Sequence, residues 1–129
     1  MKTAFITCSD NKFLPGLKKL DDSICKHNNL KGIDKVLISD EIQEFRDYKI
    51  FTPRKEIYDI PIKNERFRKA YHKLTIFSMT EYEKIIYIDA DILCLGDIST
   101  LFALKRDRHN LNIIHTGQKR GDLKNEPHL

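Results

Sequence analysis

No run of apolar residues in this 129-residue chain is long enough to cross a membrane. At the amino terminus one lysine, Lys2, precedes only a short apolar stretch before Ser9-Asp10-Asn11-Lys12. That is too little for a secretory signal core. Both absences lead us to expect a soluble, cytoplasmic protein. Cysteine is scarce. Cys8, Cys25 and Cys94 are odd in number, and no two have metal-finger spacing. Reduced thiols in a cytosolic-type compartment follow. No Gly-rich phosphate cradle of either standard spacing occurs, so a phosphate ligand must be held by other groups. Excess charge is small: 23 Lys plus Arg against 19 Asp plus Glu give +4. This bias favours anionic ligands but lacks the dense basic face of a nucleic-acid binder. No internal repeat and no low-complexity tract is present.

What the chain does have is apolar content. Hydrophobic residues make up 40% and charged residues 33%, which excludes a disordered chain. The length suits one domain with a real core and is too short for two.

The most informative stretch is Ile85-Ile86-Tyr87-Ile88-Asp89-Ala90-Asp91-Ile92-Leu93. Four apolar or aromatic residues run straight into two carboxylates, one residue apart. The apolar run reads as a buried strand. An ionised carboxylate is costly to bury without a partner, so Asp89 and Asp91 are expected where the strand leaves the core. Paired carboxylates there suit a hard divalent cation and a phosphate-bearing ligand.

Along the chain, residues 3–8 read as a strand, followed by a polar loop. Pro15 is tolerated in a first helical turn. Leu17, Leu20 and Ile24 then recur at helical spacing until His27-Asn28-Asn29 and Gly32. Residues 33–39 form a second strand. Asp40 is expected to cap a short helix through Arg46, with Ile42 and Phe45 on one side. Residues 48–51 form a brief third strand, and 54–63 read as irregular because Pro61 breaks any pattern. Asn64 caps a long helix from Glu65 to about Glu81, whose buried stripe is expected to be Phe67, Ala70, Tyr71, Leu74, Phe77 and Ser78. After the aspartates come a turn at Leu95-Gly96-Asp97, a short helix over 98–104 and a strand over 111–115. The chain from Thr116 onward is polar.

Strands alternating with helices imply an α/β fold with a mostly parallel sheet flanked by helices. Ligands of such sheets bind beyond the carboxyl ends of the strands. Two ends are conspicuously polar: Thr7-Cys8-Ser9-Asp10-Asn11 after the first strand, and Asp89-Ala90-Asp91 after the fourth. One ligand can touch both.

The stretch HKLTIFSMTEYEKIIYIDADILCLGDISTLF, His72 to Phe102, resembles glycosyltransferase family 8, the family of glycogenin and of bacterial galactosyl- and glucosyltransferases. The hallmark is a helix with Lys or Arg followed by Leu, a Tyr-x-Lys turn, an apolar strand, Asp-x-Asp, a turn, Asp-Ile and Leu-Phe. The opening AFITCSDNKFL is also similar to that family's first strand and nucleotide-contacting loop. The likeness covers most of residues 3–104.

The resemblance implies a nucleotide-diphospho-sugar transferase fold of the GT-A, Rossmann-like type. It implies a retaining enzyme that moves a hexose from a UDP-sugar to a glycan, protein or lipid acceptor, with Mn²⁺ as cofactor and Mg²⁺ as the substitute. By resemblance, Asp89 and Asp91 are the metal pair, and Thr7, Cys8, Asp10, Asn11, Lys73, Asp89, Ala90 and Asp91 contact the nucleotide-sugar. Lys73 matches the basic residue that meets the phosphates. No catalytic residue is assigned. Known members are longer. Their second half supplies the acceptor groove and a His-x-x-Gly-x-x-Lys-Pro-Trp motif whose His is a third metal ligand. His115-Thr116-Gly117-Gln118-Lys119 carries only an echo of it. We therefore expect a truncated unit: residues 1–115 as the nucleotide-sugar-binding part of the domain, and 116–129 as a polar tail.

Two alternatives stand beside the transferase. One is a non-catalytic nucleotide-sugar-binding relic or interaction module. The other is a haloacid-dehalogenase-type phosphatase, which also follows an apolar strand with Asp-x-Asp but prefers Gly-Thr next, where this chain has Ile92-Leu93. Ordinary roles are expected elsewhere. Asp97 caps a helix, Cys25 and Cys94 are small buried hydrophobes, and Arg66, Arg68 and Lys69 form a solvated face. His72 is structural, and His109 and His128 lie on the surface.

Overall fold

The computed structural model describes residues 2–103. Four strands, β1 (Thr3–Cys8), β2 (Asp34–Ile38), β3 (Lys49–Phe51) and β4 (Lys84–Tyr87), form one sheet in the order β3-β2-β1-β4. Every pairing is parallel, with Ile6 opposite both Val36 and Tyr87. The carboxyl ends of all four strands therefore share one edge.

Side chains alternate between the two faces. Phe5, Leu37, Ile86 and Ile88 pack against Leu17, Leu20 and Ile24 of helix α1 (Leu14–His27). Ala4, Ile6, Val36, Ile38 and Ile85 pack against Met79, Tyr82 and Ile76 on the other face. Pro15 sits in the first turn of α1, where its missing N–H costs nothing. The result is a sheet between two layers, the α/β fold expected from the sequence.

Several expectations need correcting. Residues 40–46 form no helix. The Ser39 hydroxyl accepts the backbone N–H groups of Glu41 (3.2 Å) and Ile42 (3.0 Å), a local turn that competes with helix formation. Arg46 then takes a left-handed backbone, φ 43°. Ile42 and Phe45 are still buried. The stretch 54–63 is not wholly irregular: a single helical turn, α2 (Lys55–Tyr58), buries Ile57.

The long helix is a 3₁₀ helix, Glu65–Ser78, entered through the Asn64 side chain, which accepts Arg66 N–H. Three residues per turn put every third side chain in one row. That row holds Arg66, Lys69, His72, Thr75 and Ser78, and it buries His72 and Thr75. The expected stripe of period 3.6 is displaced outward. Phe67 is 51% and Phe77 68% exposed, and Tyr71 and Leu74 are also exposed. Strand β4 is half-buried rather than fully buried, because among the described residues it has β1 as its one neighbour. Cys25 is exposed, with its Sγ donating to Asp21 at 3.6 Å; Cys94 is buried as expected. Asp97 does cap the next turn, accepting Ser99 N–H at 2.7 Å at the start of α3 (Ser99–Ala103). The strand expected at 111–115, the tail from 116, His109, His115 and His128 lie outside the described residues.

Candidate functional site

Parallel pairing with β1 carries β4 to its end at Tyr87. The chain then leaves the sheet with Ile88 N–H still donating to Ile6 O at 3.1 Å. A turn follows, closed by Ile92 N–H to Asp89 O at 3.2 Å. Asp89 and Asp91 are both exposed, and Ala90 between them is buried. Beneath this turn lies the first turn of α1. A Cβ on Gly16 would stand 3.2 Å from Ala90 O, a tighter contact than most side chains make, so the helix approaches the backbone between the two aspartates closely. Farther on, Cys94 N–H donates to Ser23 Oγ at 2.9 Å and Ile98 N–H donates to Asn28 Oδ1 at 2.8 Å. The segment after the aspartates is thus tied to α1 at several points.

The β1 end is the other half of the site. Ser9 N–H continues the ladder to Ile38 O at 3.2 Å. Asp10 Oδ1 then accepts Phe13 N–H at 3.1 Å and caps a single 3₁₀ turn, Asn11–Phe13. Phe13 is 53% exposed and presents a ring beside this loop.

Electrostatics locates these groups relative to one another. Burial pushes the Cys8 thiol up to about 12, and Asp40, Asp89 and Asp10 push the same way while Lys73 opposes them. Four charges from four separate segments thus act on one sulfur at the carboxyl end of β1. The Tyr87 hydroxyl is also raised, by burial and then by Cys8 and Asp89, with Asp91 adding to it. His72 is fully enclosed there. Burial lowers its imidazole, with Asp40 and Asp10 opposing and Lys69 and Arg68 assisting. Its Nε2 has no hydrogen-bond partner among the described residues, and its ring lies 5.5 Å from that of Tyr58.

Of the residues singled out in the sequence, Cys8, Asp10, Lys73, Asp89 and Asp91 lie at this sheet edge, with Asn11 exposed on its rim. Thr7 is different. It is completely buried, and its hydroxyl has no partner among the described residues. Alternation from Phe5 turns it toward α1. Glu41 and Tyr58 are not singled out by the sequence, and Asp40 and Lys69 read there only as a helix cap and part of a solvated face. Lys69 Nζ contacts Glu41, lies 3.1 Å from Asp10 and 4.0 Å from Asp40. A cavity of about 520 Å³ adjoins the rim at Asn11 and Glu41 and runs under Leu14, Lys18 and Phe45, apart from the paired aspartates.

Among the described residues no group of three or more His, Cys, Asp or Glu side chains is arranged to hold a metal. Asp89 and Asp91 offer carboxylate oxygens alone. That donor set fits Mg²⁺ or Mn²⁺, ions held by one or two carboxylates with the rest of the shell from phosphate and water. No helix among the described residues is long and apolar enough to cross a membrane.

An α/β fold with an all-parallel sheet and charged groups at its carboxyl edge is the class of protein these features define. Residues 5–128 match the family described as glycosyl transferase family 8, and the chain belongs to that family. The phosphatase alternative falls with this assignment. The chain is 29% identical over 118 residues to inositol phosphorylceramide glucuronosyltransferase 1 of Arabidopsis thaliana, covering 85% of this chain and 22% of that protein. It is 30% identical over 131 residues to the uncharacterized protein R707 of Acanthamoeba polyphaga mimivirus, covering 90% and 46%. In structure it is similar to the apo form of the glycosyltransferase GlyE of Streptococcus pneumoniae TIGR4, with a TM-score of 0.54, 18% identity, and coverage of 83% of this chain and 28% of that one. The chain thus spans less than half the length of each of these proteins.

Proposed function

We propose that this chain is the donor-binding part of a glycosyltransferase that moves a hexose from a UDP-sugar to an acceptor, with retention of anomeric configuration. The observation that carries this reading is the parallel pairing of β1 and β4, which brings the segments bearing Asp10 and Asp89 out of the sheet side by side at one edge. In the proposal Asp89 and Asp91 hold Mn²⁺, with Mg²⁺ as a substitute. Such a cation, when bound, supplies Lewis-acid stabilisation of the departing diphosphate. Lys73 adds a point charge to the same phosphates. Asp10 and Asn11 accept and donate hydrogen bonds at the base and ribose, and Phe13 offers a ring for stacking. Thr7 acts from below, by packing, since its side chain is sealed from solvent.

Titration calorimetry with UDP tests this directly. Binding is expected with Mn²⁺ present and much weaker binding with EDTA. Affinity that ignores the metal would remove the site from consideration. A second reading is a nucleotide-sugar-binding module without turnover. A screen of UDP-sugars for Mn²⁺-dependent hydrolysis separates the two: turnover favours the enzyme, and tight binding without turnover favours the module.

A further inference from the structure

We propose that Lys69 is a positioning residue that sets the conformation of the loop Asp10–Phe13, and through it the affinity for the nucleotide. The second half of this statement rests on the donor-binding reading above.

The geometry is a three-way tie. Lys69 comes from the 3₁₀ helix, Asp10 from the loop after β1, and Asp40 and Glu41 from the loop after β2. Lys69 Nζ lies 3.1 Å from Asp10 Oδ2, contacts Glu41 Oε1 directly, and is 4.0 Å from Asp40 Oδ1. Each of the two nearest carboxylates spends its other oxygen on the loop backbone. Asp10 Oδ1 accepts Phe13 N–H at 3.1 Å, and Glu41 Oε2 accepts Asn11 N–H at 2.9 Å. One cation therefore fixes two carboxylates that in turn fix two amides of the same four-residue loop.

An ordinary surface ion pair is worth little. Two features set this one apart. The Asp10 side chain is only 13% exposed, so its charge is poorly screened. Asp10, Asp40 and Glu41 are like charges gathered around one ammonium, and without it each repels the others and any incoming diphosphate. Charge-assisted bonds to backbone N–H groups are the strong kind, and they hold geometry as well as charge. An arginine can bridge the same carboxylates, whereas a methionine keeps the aliphatic stem and loses the charge.

The test compares the whole chain with Lys69→Met and Lys69→Arg. Two readouts are used: amide hydrogen exchange at Asn11 and Phe13, and calorimetry with UDP plus Mn²⁺. Lys69→Met is expected to speed exchange at both amides and weaken UDP binding about tenfold. Lys69→Arg is expected to restore most of both. A merely structural ion pair would shift the melting temperature without this local exchange pattern or rescue. Unchanged exchange at Asn11 and Phe13 in Lys69→Met overturns the proposal, and so does wild-type UDP affinity in that variant. A wild-type chain that fails to bind UDP, while Lys69→Met still loosens the two amides, refutes the donor-binding reading and upholds the loop tie.

Discussion

Gly16 supports Ala90. The first turn of α1 lies so close to the backbone between Asp89 and Asp91 that a Cβ at position 16 would sit 3.2 Å from Ala90 O. The helix is thus a floor for the turn that carries both carboxylates, and small changes in that floor should be felt above it.

Gly16→Ala adds helix propensity worth about 1 kcal/mol but crowds the turn by a few tenths of an ångström. The two effects oppose each other in stability and not in binding. We expect a melting temperature near wild type together with weaker Mn²⁺-dependent UDP binding, and a larger binding loss in Gly16→Val. Calorimetry beside thermal melts checks this. Wild-type affinity in Gly16→Val would show that the floor does not matter.

Asp91 is exposed at the end of the turn, so Asp91→Asn removes a charge without opening the core. The variant should fold normally and lose the enhancement of UDP binding by Mn²⁺. A folded Asp91→Asn protein that keeps the enhancement would exclude Asp91 as a ligand.

Asp21 is the opposite kind of acid. Its side chain is 5% exposed and is held by Arg46 at 2.6 Å, Lys35 at 3.0 Å and the Tyr48 hydroxyl at 2.7 Å. Burial works to raise its pKa, yet Arg46, Tyr48 and Lys35 together outweigh it, and the net shift is downward. A lowered folded value means that the stabilisation is present above the unfolded value of about 3.9 and fades as pH falls below it. Asp21→Asn leaves the cations without their partner and should cost about 3–5 kcal/mol. Urea titrations at neutral and acid pH should show the gap between the two proteins shrinking in acid.

His72 loses stability in the same direction but at higher pH and for a different reason. Burial lowers its imidazole in the fold, so the unfolded chain binds a proton that the folded chain refuses. Stability therefore falls as pH drops through about 6.5, the unperturbed imidazole value. In His72→Gln that slope should flatten. Melting temperatures across the weakly acid range read it out, and an unaltered slope in His72→Gln would place the sensitivity elsewhere.

The strands were legible because their signal is local. Thr3–Cys8 and Lys84–Tyr87 are largely apolar runs, and helices lie between β1 and β2 and between β3 and β4; β3 is parallel to β2 as well, although the residues joining them form no helix. The 3₁₀ helix was not legible. Phe67, Tyr71 and Leu74 have 3.6 spacing, and only the three-residue period of the backbone turns His72 and Thr75 inward instead. The expected helix after Asp40 failed because Ser39 offered the backbone a competing turn. Lys69 looked like any solvated lysine, since its partners Glu41 and Asp10 are 28 and 59 residues away in the chain. Relations of that length are set by sheet topology, and composition and spacing carry no trace of them.

The half-buried thiol of Cys8, with its value near 12, stays protonated at neutral pH and is a poor nucleophile. Alkylating reagents should therefore capture it only when the strand end breathes. Its labelling rate becomes a built-in clock for opening of the sheet mouth, one that a tightly seated ligand would slow.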